Sequence, residues 1–179
     1  MDMQEKSSVA APAPAIPDGE YVVDAGRSEL RFRAKAFGLV WVRGRMPAVE
    51  GTIRVREGVF SGAGAVAADR VSTGLGARDW HLRSSHYLQA ARHSRVAIAV
   101  RDADPATGQA DATLTVRGVT APLSLRLTGL AWHEGTLRLE VAGELDRTPL
   151  PMLPPLAGVS RIVHCQLVVE ARPVRSGTA

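Results

Sequence analysis

The sequence predicts an all-β protein built from antiparallel strands. Three observations carry that prediction. Apolar and polar residues alternate with period two along most of the chain. Turn residues interrupt the alternation at hairpin spacing. One long stretch, 76–93, abandons it.

The alternation is clearest in four segments. In 28–37, Leu30, Phe32, Ala34 and Ala36 share one face, and Glu29, Arg31, Arg33 and Lys35 share the other. In 49–56, Val49, Gly51, Ile53 and Val55 oppose Glu50, Thr52, Arg54 and Arg56. In 123–128, Leu123, Leu125 and Leu127 oppose Ser124, Arg126 and Thr128. In 137–146, Leu137, Leu139, Val141 and Leu145 oppose Arg138, Glu140, Glu144 and Asp146. Each is a strand with one dry face and one wet face. Further strands are expected at 21–24, 40–46, 64–68, 96–102, 111–117 and 162–170. Glu57-Gly58, Asp104 through Gly108, Gly118-Val119-Thr120 and His133-Glu134-Gly135 supply turns between them. Many short strands with a shared apolar side build either a sandwich or a closed barrel. Periodicity does not choose between the two.

The segment 76–93 suits one or two short helices around 78–92, lying over one end of the β structure. Asp79 is the expected N-cap, its carboxylate accepting a backbone N–H. The prolines at 149, 151, 154 and 155 mark a second irregular stretch, 148–159.

Composition narrows the function. The 179 residues suit one domain, and only three Trp, two Tyr and three Phe are present, so the interior is aliphatic. The net charge of +4 is carried by arginines scattered among apolar residues, with Lys6 and Lys35 the only lysines. That pattern reads as solvated outer faces and argues against a nucleic-acid surface. Cys165 is the only cysteine, which excludes an intrachain disulfide. Residues 1–17 form an Ala/Pro-rich lead without a secretory apolar core, expected to be disordered, and 174–179 a loose tail. The domain is therefore 18–173, with a cytoplasmic location expected and no membrane-spanning run.

Motifs for chemistry are sparse. Arg78-Asp79-Trp80-His81 invites an enzymatic reading with His81 as general base oriented by Asp79, but no nucleophile accompanies the pair. His81, His86 and His93 are spaced by five and seven, which fits neither a helical nor a strand metal pair. Ser72, Thr73 and 74–76 lack the Lys-Ser/Thr of a phosphate loop. Cys165 lies on an alternating strand and reads as a small buried hydrophobe.

Four pieces, in order, carry a resemblance. They are Tyr21–Asp24 with Ser28 and Phe32; Val42-Arg43-Gly44-Arg45-Met46 with Gly51 and Ile53; Arg78-Asp79-Trp80-His81-Leu82-Arg83-Ser84 with Tyr87-Leu88; and Leu114 through Leu123. Leu145-Asp146-Arg147 and the last strand complete the set. The chain resembles the YceI-like family, named for polyisoprenoid binding, over roughly residues 19–172.

The resemblance implies a bacterial protein with a lipocalin-like antiparallel barrel of about eight strands. It implies an internal apolar cavity for an isoprenoid, quinone-like or other lipidic ligand, commonly in a dimer and without a metal. Two departures limit what carries over. A Lys-His-x-Gly step is replaced by Lys35-Ala36-Phe37-Gly38, and an aromatic–Gly step after Arg147 by the apolar, proline-rich 148–156.

The expected function is therefore binding, carriage or sequestration of an apolar molecule, with no cofactor beyond a co-purified lipid. The alternative is a cyclase- or isomerase-type enzyme using the same cavity. The expected ligand contacts are Phe32, Ala34, Phe37, Trp41, Ile53, Trp80, His81, Leu82, Tyr87, Leu88, Leu114, Leu125, Leu127 and Leu139. The small residues Gly62, Ala63, Gly64, Ala65, Ala67 and Ala68 leave room for a slender occupant. Each buried methylene contributes about 0.8 kcal/mol. Two or three isoprene units then approach micromolar affinity, about −8 kcal/mol, after association costs.

Overall fold

The computed structural model describes residues 14–154 and 158–174. Most of the lead, the end of the tail and part of the proline-rich stretch lie outside the described residues. The strands are β1 (Gly19–Val23), β2 (Glu29–Ala36), β3 (Val40–Arg56), β4 (Val59–Ala67), β5 (Arg95–Asp104), β6 (Gln109–Val116), β7 (Val119–His133), β8 (Thr136–Asp146) and β9 (Ile162–Pro173). One helix, α1 (Gly76–Arg83), joins β4 to β5.

All strand pairings are antiparallel, and the sheet closes on itself through β3–β4. β1 and β2 share one place in the ring. β2 pairs with the first half of β3, and β1 with Thr52 to Val55 near its end. Both also pair with β9. The ring therefore has eight strand positions, an all-β lipocalin-like barrel as expected. Closure removes sheet edges and leaves a narrow interior.

Two differences from the sequence reading have clear causes. The strands expected at 40–46 and 49–56 are one continuous β3. Pro47 does not break it, because its missing N–H falls on the side where β4 gives way to the 68–72 segment. Asp79 is not the N-cap of α1. Leu75 holds that position without a side-chain bond, and the Asp79 carboxylate instead accepts the Thr73 N–H and hydroxyl.

Three hairpins, at Glu57-Gly58, Arg117-Gly118 and Glu134-Gly135, are two-residue turns with both residues at positive φ. Such turns match the right-handed twist of the strands they join. The inward parity of every strand builds one aliphatic core. It runs from Tyr21, Val55 and Leu137 at one end to Leu88, Val116 and Leu150 at the other. Each fully buried Leu or Val contributes roughly 1.5–3 kcal/mol. No helix among the described residues is long and apolar enough to cross a membrane.

Candidate functional site

The interior holds a cavity of about 90 Å³. Its walls come from the inward positions of β1, β3, β4, β5, β7, β8 and β9. Ile53, Phe60, Ile98, Val100, Val141 and Val169 are among them. The cross-strand register explains why they meet. Leu139 faces Val169, Val141 faces Leu167, and Ile53 faces Gly62. On the β3–β4 side the wall is thin. A Cβ on Gly62 would stand 2.6 Å from the Thr52 oxygen, and one on Gly64 2.6 Å from the Glu50 oxygen. Only glycine lets β4 lie this close to β3.

The cavity contains almost no polar chemistry. Ser28 borders it, but its hydroxyl is bonded to the Glu170 backbone. Glu50 contributes to the wall from an outward position and pairs with Arg95 outside. Cys165 is buried on the same inward face of β9, and burial pushes its thiol up to about 12. Among the described residues no group of three His, Cys, Asp or Glu could hold a metal ion.

One end of the barrel is closed by a cap. It consists of α1, the turns of 84–93 and residues 148–154 and 158–160. Tyr87, Leu88 and Leu150 are buried beneath it. Two arginines hold it from within. Arg117 donates to the carbonyls of Ser85, Tyr87 and Pro151. Arg147 is buried and donates to those of Ser160, Val159 and Leu153. Burial draws the Arg147 guanidinium below its usual range, with Tyr87 opposing the shift. Neighbouring Asp146 is held below the usual carboxylate range by the Thr148 hydroxyl and N–H, with help from Arg161. The Leu153 N–H closes the cap against the His86 carbonyl.

A second, larger depression of about 1430 Å³ lies open on the outer wall across β2, β3 and β6 to β9. Arg31, Arg33, Arg43, Arg45, Arg126 and His164 line it. Being wide and charged, it would leave an apolar ligand in water, so the smaller interior cavity is the better match for such a molecule.

The expected contact residues separate into four groups. Ile53, Leu127 and Leu139 line the cavity. Ala34, Leu82, Tyr87, Leu88 and Leu114 pack in the core or under the cap. Phe32 and Leu125 belong to the wall beneath the outer depression, the Phe32 ring lying over Gly44. Phe37, Trp41 and Trp80 are exposed. His81 is exposed too, its ring edge-on to His86 and Tyr87. Trp132 packs edge-on against Tyr21 at the end opposite the cap. Sequence parity missed Val100, Leu167 and Val169. Along β9 the outer face carries apolar Ile162 and Val168 as well as His164 and Gln166, so parity separates its inward residues less sharply than in a strand with a charged outer face.

A family model described as the YceI-like domain matches residues 21–171. The chain belongs to the YceI-like family. Solved structures of the same fold include BcnA of Burkholderia cenocepacia, at 13% identity and TM-score 0.71, covering 83% of this chain and 98% of that one. A polyisoprenoid binding domain from Saccharophagus degradans, implicated in plant cell wall breakdown, is similar at 20% identity and TM-score 0.65, covering 86% and 98%. A Campylobacter jejuni YCEI protein is similar at 15% identity and TM-score 0.60, covering 98% and 99%. No curated protein matches the chain. At these identities the structural likeness establishes the fold.

Proposed function

We propose that this YceI-like barrel binds an apolar lipidic molecule, an isoprenoid, a quinone-like compound or a similar chain, and carries or sequesters it. The observation that carries the reading is the apolar interior cavity walled by Ile53, Phe60, Ile98, Val100, Leu127 and Leu139. A site whose one acidic wall residue, Glu50, turns its carboxylate outward to Arg95 selects by shape and apolarity. Family membership supports the same class of ligand.

The cavity is smaller than the roughly 300–1,000 Å³ of a pocket that engulfs a drug-sized ligand. Loading therefore proceeds by insertion of a slender chain and rotation of the long side chains, Leu127, Leu139 and Leu167, out of its path. Catalysis has less support. Asp79 is committed to Thr73, and His81 faces solvent, so neither supplies a base inside the barrel.

Native mass spectrometry and organic extraction of freshly purified protein test the proposal. We expect a co-purified apolar mass, or uptake of an offered polyprenol. Val100→Phe fills the cavity and should reduce occupancy severalfold while the protein stays folded. An empty barrel that takes up no offered polyprenol, or unchanged uptake by folded Val100→Phe, refutes it.

A further inference from the structure

Seven of the nine large apolar side chains that stand exposed among the described residues lie at the cap end of the barrel. Four are on the β2–β3 hairpin. Phe37 is 81% exposed, Leu39 86% and Val40 60%, with Trp41 just behind them. Leu75 and Trp80 belong to α1 and its cap position, and Val119 follows the β6–β7 turn. The remaining two, Val22 and Val174, are at the opposite end. Single exposed apolar residues are ordinary, whereas several on protrusions of one end are not.

The hairpin is held out rather than frayed. The Phe37 N–H donates to the Gly158 carbonyl, Ala36 bridges Val159, and the Leu39 N–H donates to the Ala36 carbonyl. α1 is tied to the same strand, because Ser72 pairs with Arg45 of β3. Its apolar residues therefore belong to the same end of the barrel as the hairpin.

The charges around these protrusions are mainly positive. The Arg33 guanidinium lies 4.9 Å and the Lys35 ammonium 5.2 Å from the centre of the Trp41 ring. Among the described residues, neither of these nor Arg43 reaches a carboxylate at salt-bridge distance. The nearby acids are already engaged. Asp79 is buried against Thr73, Glu144 meets His164, and Asp146 meets Thr148 and Arg161.

We propose that the cap end docks on an anionic lipid bilayer, with the β2–β3 hairpin as the inserting element. Phe37, Leu39 and Val40 enter the acyl boundary. Trp41 lies at headgroup level, where amphipathic rings prefer to sit. Lys35, Arg33 and Arg43 meet lipid phosphates. A protein partner fits less well, since it needs a continuous, closely packed face of about 800 Å². Here separate apolar tips rise from a cationic surround, which suits a fluid surface. The inference goes beyond ligand binding and holds whether or not the barrel carries a lipid.

Flotation with vesicles tests it, using phosphatidylcholine alone or mixed with phosphatidylglycerol. The wild type should float with the mixed vesicles and much less with phosphatidylcholine alone. Leu39→Asp, and separately Lys35→Glu with Arg43→Glu, should each weaken binding about tenfold or more. All three positions are exposed, so melting curves should stay close to wild type. In a Trp80→Phe, Trp132→Phe background, where Trp41 is the only tryptophan left, acyl-brominated lipid should quench the emission. Failure to bind the mixed vesicles, or unchanged binding by Leu39→Asp, overturns the proposal. So does a dimer that Leu39→Asp dissociates while the wild type ignores vesicles, since a second copy would then be the occupant.

Discussion

Arg147 offers the most direct test of how the barrel end is kept shut. It is a buried cation that meets no carboxylate at salt-bridge distance among the described residues. Its three nitrogens donate to three carbonyls of one segment, those of Leu153, Val159 and Ser160. Arg147→Met keeps the length of the side chain and much of its packing but removes every donor. Each carbonyl left without a partner costs about 1–3 kcal/mol. The lower value applies, because the freed segment lies at the surface and can open to water. Relief of the guanidinium's own desolvation offsets part of the rest. The expected loss is therefore about 2 kcal/mol.

Urea unfolding followed by tryptophan emission measures that loss, and hydrogen exchange locates it. Exchange should quicken at 148–154, 158–160 and 84–88, the segments the arginines tie together, and stay slow in β6 to β8. Arg147→Lys, which keeps the charge but not the planar fork, should recover less than half. If Arg147→Met unfolds within 0.5 kcal/mol of wild type (the ordinary scatter of surface substitutions), the tether argument is wrong. An exchange increase spread evenly over the barrel refutes it equally.

Three further outcomes follow from the geometry. Leu139→Ala enlarges the cavity and should cost about 3 kcal/mol in urea unfolding, yet raise uptake of a bulkier apolar ligand; unchanged uptake would argue against the interior as the site. A Cβ on Gly143 would lie 2.1 Å from the Ser124 oxygen, so Gly143→Ala should lower the melting temperature far more than Gly58→Ala. The Cys165 thiol titrates near 9.0 when unfolded and at about 12 when folded. Its contribution is complete below pH 9, and stability should then fall by about 1.4 kcal/mol per pH unit up to 12. Cys165→Ala should flatten that decline.

How much of this could be read from the chain depends on the kind of signal. Strands whose outer face is charged, such as Glu29 to Lys35 and Arg138 to Glu144, declare their inward residues, and the structure agrees. β9 does not, because Val163, Leu167, Val168 and Val169 put apolar groups on both faces; its inward set became visible only through pairing with β8. The cap was legible as a break in alternation. Its two arginines were not, since no one-dimensional pattern says that a guanidinium will turn inward to collect carbonyls. The exposure of Phe37 and Trp80 was hidden for the same reason: aromatic residues outside a periodic strand carry no face. The small residues of β4 show how one signal has two physical meanings. Read as a sequence, Gly62 and Gly64 suggest empty volume. In the fold, a side chain at either would strike the β3 backbone rather than fill the cavity. Their first role is to let two strands coil tightly where the ring closes. The cavity they border then depends on how far Leu127, Leu139 and Leu167 yield, so ligand capacity is set by the flexible wall opposite the glycines.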